Sequence, residues 1–207
     1  VTSLQITAPT GVLYAYFIDP GENAVIPFTE GNGDYTVVGY QQIQGDQYAA
    51  LYSEILTVEL ENDFLPFLYP NQYVNFSPDS EASKLALSMV SEDTTDVDAL
   101  KQIYNYVVNN LTYDYDKAET VETGYLPDVD ETLSTKTGIC FDYAALTTAM
   151  LRSCDIPCKL QIGYTGDIKH AWIDVYIRSK GWVTNAVSFN GDSWSLMDPT
   201  FDSSADS

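Results

Sequence analysis

The chain has 207 residues, 45% of them hydrophobic, and carries 30 Asp and Glu against 9 Lys and Arg, a formal net charge of −21. That is enough for one ordinary domain or a domain with a small companion, and such acidity repels phosphate backbones, which argues against nucleic acid and anionic lipid as partners. No run approaches the roughly eighteen consecutive apolar residues of a membrane span, and the start at Val1, with the acidity, fits a secreted or cell-surface protein whose leader has been removed.

Residues 1–61 read as β structure. SLQITAP, GVLYAYFID, NAVIPFT, DYTVVGYQQ and QYAALYSEILTVEL are rich in β-branched and tyrosine residues, and Gly-Asn-Asp clusters separate them. Short strands at this spacing predict a small sandwich. Residues 62–79 hold three prolines and no helical period, and are the expected linker.

From residue 80 the period changes. SEASKLALSMVSE predicts a short helix. A second follows over 94–111, with Val97, Leu100, Tyr104, Val107, Val108 and Leu111 on one stripe, Thr95 as N-cap and Asp98 three residues on. Residues 113–136 are polar and aperiodic, a loop of a length that is usually functional or mobile. A third helix is expected over 141–153, ended by Asp155-Ile156-Pro157. KLQIGY, HAWIDVYI, GWVTNAVSF and WSLMD then read as strands of a largely antiparallel sheet, so residues 80–207 form one α+β unit.

Cys140 stands where a polar run gives way to that third helix. A sulfur there lies beside unpaired N–H groups and the positive end of the helix dipole. Such a setting, helped by a histidine, lowers a thiol pKa from about 8.5 into the range of roughly 3.5–7.5. Gly138 permits a close approach by backbone or substrate, and the Cys140 N–H is expected to be free for an oxyanion. The alternative is a small buried residue at a helix start. His170, the single histidine of the chain, opens HAWIDVYI on the side opposite Ala171, Ile173, Val175 and Ile177. Asp198 in WSLMDPTF ends the last strand run before Pro199. Antiparallel hairpins would set the end of WSLMD level with the start of HAWIDVYI, within reach of the imidazole.

Three ordered blocks, GICFDYAALTTAMLRSCDIPCKLQIGY, HAWIDVYI and MDPTF, resemble the core of the transglutaminase-like superfamily. The match covers residues 138–201, and 97–115 fit the helix that usually precedes it. The resemblance implies an α+β fold: a papain-like core of helices packed on an antiparallel sheet, preceded here by a small all-β, sandwich-like accessory domain. It implies Cys140 as nucleophile, His170 as general base and acid, and Asp198 as orienting carboxylate, with no cofactor. In that family the second oxyanion donor can be an aromatic side chain upstream of the cysteine, for which Tyr125 is the candidate; Trp172 is a candidate flank of the substrate. Asp155 stands where the family has glycine, and aspartate can take the left-handed conformation too.

Other signals are bland. Cys154 and Cys158 read as small buried residues rather than a disulfide. One histidine and no cysteine pair at ligand spacing argue against zinc. Asp128, Asp130 and Glu131 lack the glycine and spacing of a calcium loop and read as a solvated acidic run. NFS and NLT are sequons only where the source glycosylates. The expected reaction is thiol acyl transfer on a peptide, protein or cell-wall amide. Water as acceptor makes a peptidase or amidase, and a lysine amine makes a cross-linking transglutaminase. A catalytically silent surface binding module is the reading from another class.

Overall fold

The change of period near residue 80 reappears as two different architectures. A computed structural model describes residues 2–18, 21, 23–45, 47–122, 124–165, 168–189 and 194–196. The chain divides into two compact units, Val1–Pro66 and Phe67–Ser207, the division falling inside the segment expected as linker.

The first unit is one antiparallel sheet of β1 (Thr2–Thr7), β2 (Leu13–Ile18), β3 (Gly33–Gln44) and β4 (Gln47–Val58) in the order β2-β1-β3-β4. One face carries the buried Leu4, Ile6, Tyr16, Tyr35 and Val37. NAVIPFT, expected as a strand, is not one. Pro27 has no N–H to give a ladder, and the segment instead sets Phe28 against Tyr35 with ring centroids 4.7 Å apart. The all-β region is thus realised as a single sheet whose own loop packs on its core face.

In the second unit α1 (Glu81–Met89) and α2 (Asp96–Asn110) form where periodicity places them. Thr95 caps α2, its hydroxyl accepting from the Asp98 N–H at 3.1 Å. The buried line of α2 runs through Ala99, Leu100, Ile103 and Val107, turned slightly from the predicted stripe. Segment 113–136 is not the loop the sequence suggests. It contains β5 (Thr112–Tyr113, begun one residue earlier), α3 (Tyr115–Thr120) and α4 (Val129–Thr135), and leads into β6 (Thr137–Gly138). Both helices are short and rest on caps: Asp114 accepts from Lys117 N, and Asp128 from Asp130 N and Glu131 N. Capping satisfies end N–H groups that a six- or seven-residue helix cannot satisfy internally.

At the centre lies α5 (Cys140–Ser153), buried at every position from Phe141 to Arg152. The helix is enclosed on every side, its few polar residues included, and packs on α1, α2 and α4 and on the strands β7 (Cys158–Thr165), β8 (Ile168–Ile177) and β9 (Gly181–Phe189). With β10 (Trp194–Leu196) these make an antiparallel sheet in the order β10-β9-β8-β7. Ala171, Ile173, Val175 and Ile177 of β8 are each at most 1% exposed, the face predicted from their alternation. Asp155 takes φ 57°, the left-handed stop expected in place of glycine. Arg152 then pins the helix end, its Nε and Nη2 donating to Cys158 O and Nη1 to Tyr69 O. Among the described residues no helix is long and apolar enough to cross a membrane.

Candidate active site

Cys140 is the first residue of α5 and is part-exposed. Its position is fixed by a two-residue parallel ladder in which Tyr113 of β5 pairs with Gly138 of β6. Thr112 N donates to Lys136 O at 2.8 Å and Asp114 N to Gly138 O at 3.0 Å. The ladder brings the Tyr113 phenol onto Cys140, where its oxygen accepts the backbone N–H and its hydroxyl also hydrogen-bonds the thiol. The Cys140 N–H, expected to be free, is therefore engaged by Tyr113. Burial, then the charge of Cys140, raises the Tyr113 pKa, so this hydroxyl holds its proton at neutral pH. Its ring lies 4.9 Å from that of Tyr115 and 6.4 Å from that of Tyr143.

Behind the cysteine sits Asp142, with no solvent exposure. Its Oδ2 accepts from Ile139 N at 2.8 Å and from Lys117 Nζ at 2.8 Å, and its Oδ1 accepts the Tyr125 hydroxyl at 2.5 Å. Lys117 Nζ also donates to Tyr125 Oη at 2.7 Å and lies 4.4 Å from that ring's centre. Burial, reinforced by the Asp142 carboxylate, pushes the Tyr125 pKa up to about 12. Burial opposes the charge of Lys117, but its bonds to Asp142 and Tyr125 prevail and raise its pKa. Tyr125, the sequence's candidate oxyanion donor, thus gives its proton to Asp142, and Tyr113 is the hydroxyl on the cysteine. Gly138 serves this cluster: a Cβ there would lie 2.7 Å from Asp142 Cβ. The close approach that glycine permits is by the Asp142 side chain. Phe141 packs between Tyr73 and Tyr125, with ring centroids 6.3 Å from each.

His170 is the third residue of β8 and lies opposite Gly163 of β7. Trp172, two residues on, reaches diagonally across to Gly163, where a Cβ would stand 2.6 Å from the indole Cη2. Glycine opposite the histidine is what lets this ring lie flat on the sheet. Asp174 shares their face, but its carboxylate is committed to Asn185 N at 2.9 Å and Gln161 Nε2 at 3.2 Å. Asp198 lies outside the described residues. The strand before it pairs Trp194 with Phe189 and Leu196 with Val187, while Phe189 and Val187 pair with Ala171 and Ile173. The start of that run, rather than its end, is therefore level with the start of β8, because two antiparallel steps return the chain to β8's own direction.

Cys154 and Cys158 are free thiols. Cys158 is buried and Cys154, like Cys140, part-exposed; burial pushes the pKa values of Cys154 and Cys158 up to about 11 and about 12. The acidic run before the cysteine caps helices: Asp128 holds the start of α4, and Asp130 accepts from Ala82 N of α1 at 2.9 Å. No cluster of three or more His, Cys, Asp or Glu able to hold a metal occurs among the described residues.

The chain is 24% identical over 183 residues to the uncharacterized protein YebA of Bacillus subtilis, covering 77% of this chain and 25% of that one. It is 40% identical over 62 residues to the UPF0252 protein MJ1282 of Methanocaldococcus jannaschii, covering 28% and 18%. It thus spans a quarter or less of the length of these relatives. Among solved structures, it is similar to a candidate cysteine protease from Cytophaga hutchinsonii (16% identity, TM-score 0.48, 92% of this chain and 71% of that one). It is also similar to a candidate protease from Parabacteroides distasonis (18% identity, TM-score 0.41, 51% and 24%). The family model of the transglutaminase-like superfamily matches residues 83–199, more than half of the chain and the whole stretch from α1 to the Asp-Pro of MDPTF. With the cysteine helix, the His-Ala-Trp strand and the antiparallel sheet in family order, the chain belongs to the transglutaminase-like superfamily.

Proposed function

We propose that the protein is a thiol acyl-transfer enzyme, a cysteine peptidase or amidase acting on peptide, protein or cell-wall amides in a secreted or cell-surface setting. The observation that carries the reading is the Tyr113 hydroxyl seated on both the N–H and the thiol of Cys140 at the start of a buried helix. A donor pair of this kind, one backbone N–H and one phenol, is what a tetrahedral oxyanion needs.

In the proposed reaction the Cys140 thiolate attacks the amide carbonyl carbon, and the carbonyl electrons move onto oxygen. That oxygen takes the Cys140 N–H from Tyr113, and the displaced phenol turns its O–H to the same oxyanion. His170 protonates the leaving nitrogen as the C–N bond breaks, which leaves a thioester. It then takes a proton from water, which attacks the thioester and releases acid and thiolate. Asp198 orients the imidazole; its support is its place in the family motif. Trp172, two residues from His170 on the same face of β8, would flank the acyl group.

Peptide mixtures incubated with wild type and Cys140→Ala, with a primary amine present, test this by mass spectrometry. Cleavage or deamidation in wild type alone is the expected result, and amine incorporation would reassign the protein to cross-linking. No mass change in either sample, with the wild-type thiol intact, would overturn the enzyme reading in favour of a silent binding module.

A further inference from the structure

The segment carrying Tyr113 and the helix carrying Cys140 are closed into a ring. Tyr113 is laddered to Gly138, and Asp114 starts α3 by capping it. From α3, Lys117 reaches back to Asp142, whose carboxylate holds Ile139 N, next to Gly138. Tyr125 closes the same carboxylate from the segment before α4. Every link is a hydrogen bond or ion pair, and the Asp142 carboxylate at its centre is fully buried while the Lys117 side chain is 31% exposed.

A buried carboxylate two residues from a thiolate, in the same first turn of the helix, opposes the thiolate's formation, since like charges raise each other's pKa. We propose that Lys117 is a charge-balancing and positioning residue of the thiol site: its ammonium cancels Asp142 beneath Cys140 and fastens the ring that seats Tyr113 on the cysteine. The inference rests on the reading of Cys140 as a nucleophile. Around the start of α5, β5 and α3 bring Tyr113, Asp114, Tyr115 and Lys117, the segment before α4 brings Tyr125, and α5 brings Asp142; the proposed base His170 is on β8. Of these, Lys117 is the cation bonded to Asp142.

The experiment follows the rate of Cys140 alkylation by iodoacetamide against pH, a readout that needs no amide substrate. Lys117→Met leaves the carboxylate uncompensated, so the midpoint moves up by roughly a pH unit. Asp142→Asn leaves the ammonium uncompensated at the first turn of α5, so the midpoint moves down. The double variant, a neutral pair, returns close to wild type, and Lys117→Arg keeps the wild-type midpoint. Opposite shifts restored in the double variant are the signature of charge balance, because a merely structural clasp would move both variants the same way. Should Asp142→Asn fail to fold, Lys117→Met against Lys117→Arg still decides. Unmoved midpoints, or shifts of one sign, in variants with native circular dichroism overturn the inference. If the midpoints shift as stated but no amide is turned over, the charge balance stands and the proposed reaction falls.

Discussion

Tyr113→Phe removes a single oxygen from the proposed site and leaves the rest in place. The ring keeps its neighbours, with Tyr115 at 4.9 Å and Tyr143 at 6.4 Å, so packing is preserved. In the resting protein the change costs the hydrogen bond to the Cys140 N–H, worth about 0.5–1.5 kcal/mol, and the weaker one to the thiol. Tyr113 is only half-buried, so water can replace part of that. At about 2–4 °C per kcal/mol for a chain of this size, the melting temperature falls by no more than about 6 °C. In the transition state the missing group is an oxyanion donor, and removing one costs about 2.7–4 kcal/mol, or roughly 10²–10³ in kcat. Activity should therefore collapse while stability barely moves. Because Tyr113's pKa is raised by burial and by Cys140, the deficit should stay constant from about pH 6 to pH 9, where the wild-type phenol remains protonated. The assay is kcat on whichever amide the mass-spectrometric screen identifies, beside the rate of iodoacetamide alkylation, which forms no oxyanion. A kcat loss under about tenfold, or a matching loss in alkylation, would refute the assignment; the second result would place Tyr113's effect on the thiol alone.

Three further outcomes follow from contacts around the same unit. Gly138→Ala drives a Cβ to 2.7 Å from Asp142 Cβ and should cost about 1–3 kcal/mol by overpacking, read as a lower melting temperature with a larger loss of alkylation rate. At neutral pH one equivalent of alkylator should label the native chain and none should label Cys140→Ala, since burial pushes the thiols of Cys154 and Cys158 up to about 11 and about 12; labelling at Cys154 would contradict its raised pKa, and labelling at Cys158 its burial as well. Burial works against the ionisation of Asp96, but the Arg178 guanidinium and N–H outweigh it and hold its carboxyl below the usual range. Its contribution is present above the unfolded value of about 3.9 and lost as pH falls through the lower folded value. Asp96→Asn should thus lose about 1.5–3 kcal/mol in urea unfolding at neutral pH, and the gap to wild type should close in acid.

What the sequence makes legible is whatever repeats or punctuates. The stripe of α2, the alternation of β8, the Thr95 cap and the left-handed stop at Asp155 all have local causes, and all are found where the sequence places them but for a slight turn of the stripe. NAVIPFT has strand composition, yet Pro27 removes a donor and Phe28 finds a better partner in Tyr35 than a neighbouring strand would supply. The short helices α3 and α4 carry no period because two turns are too few to show one; their signal is Asp114 and Asp128, each two or three residues before the N–H groups it satisfies. Tyr113 was beyond local reading. Its pairing with Gly138 joins residues 25 apart through two ladder positions, and only that ladder shows which of the site's tyrosines meets the sulfur. The Lys117–Asp142 pair carries no local signal for the same reason, since on an acidic chain one more carboxylate in a helix's first turn looks like dipole complement.

The burial of α5 also sets a hierarchy of persistence. Every residue from Phe141 to Arg152 is inside the core, whereas α3 buries none of its residues. Amides of α5 should exchange with solvent deuterium only on global unfolding, and those of α3 through local opening at a far smaller cost. The proposed nucleophile is thus carried by the last element to open, and the segment proposed to steer it by one of the first. Catalytic competence would then fade before the thiol itself loses its scaffold, and protection of α3 amides, rather than the melting temperature, would mark the conditions in which the protein can work.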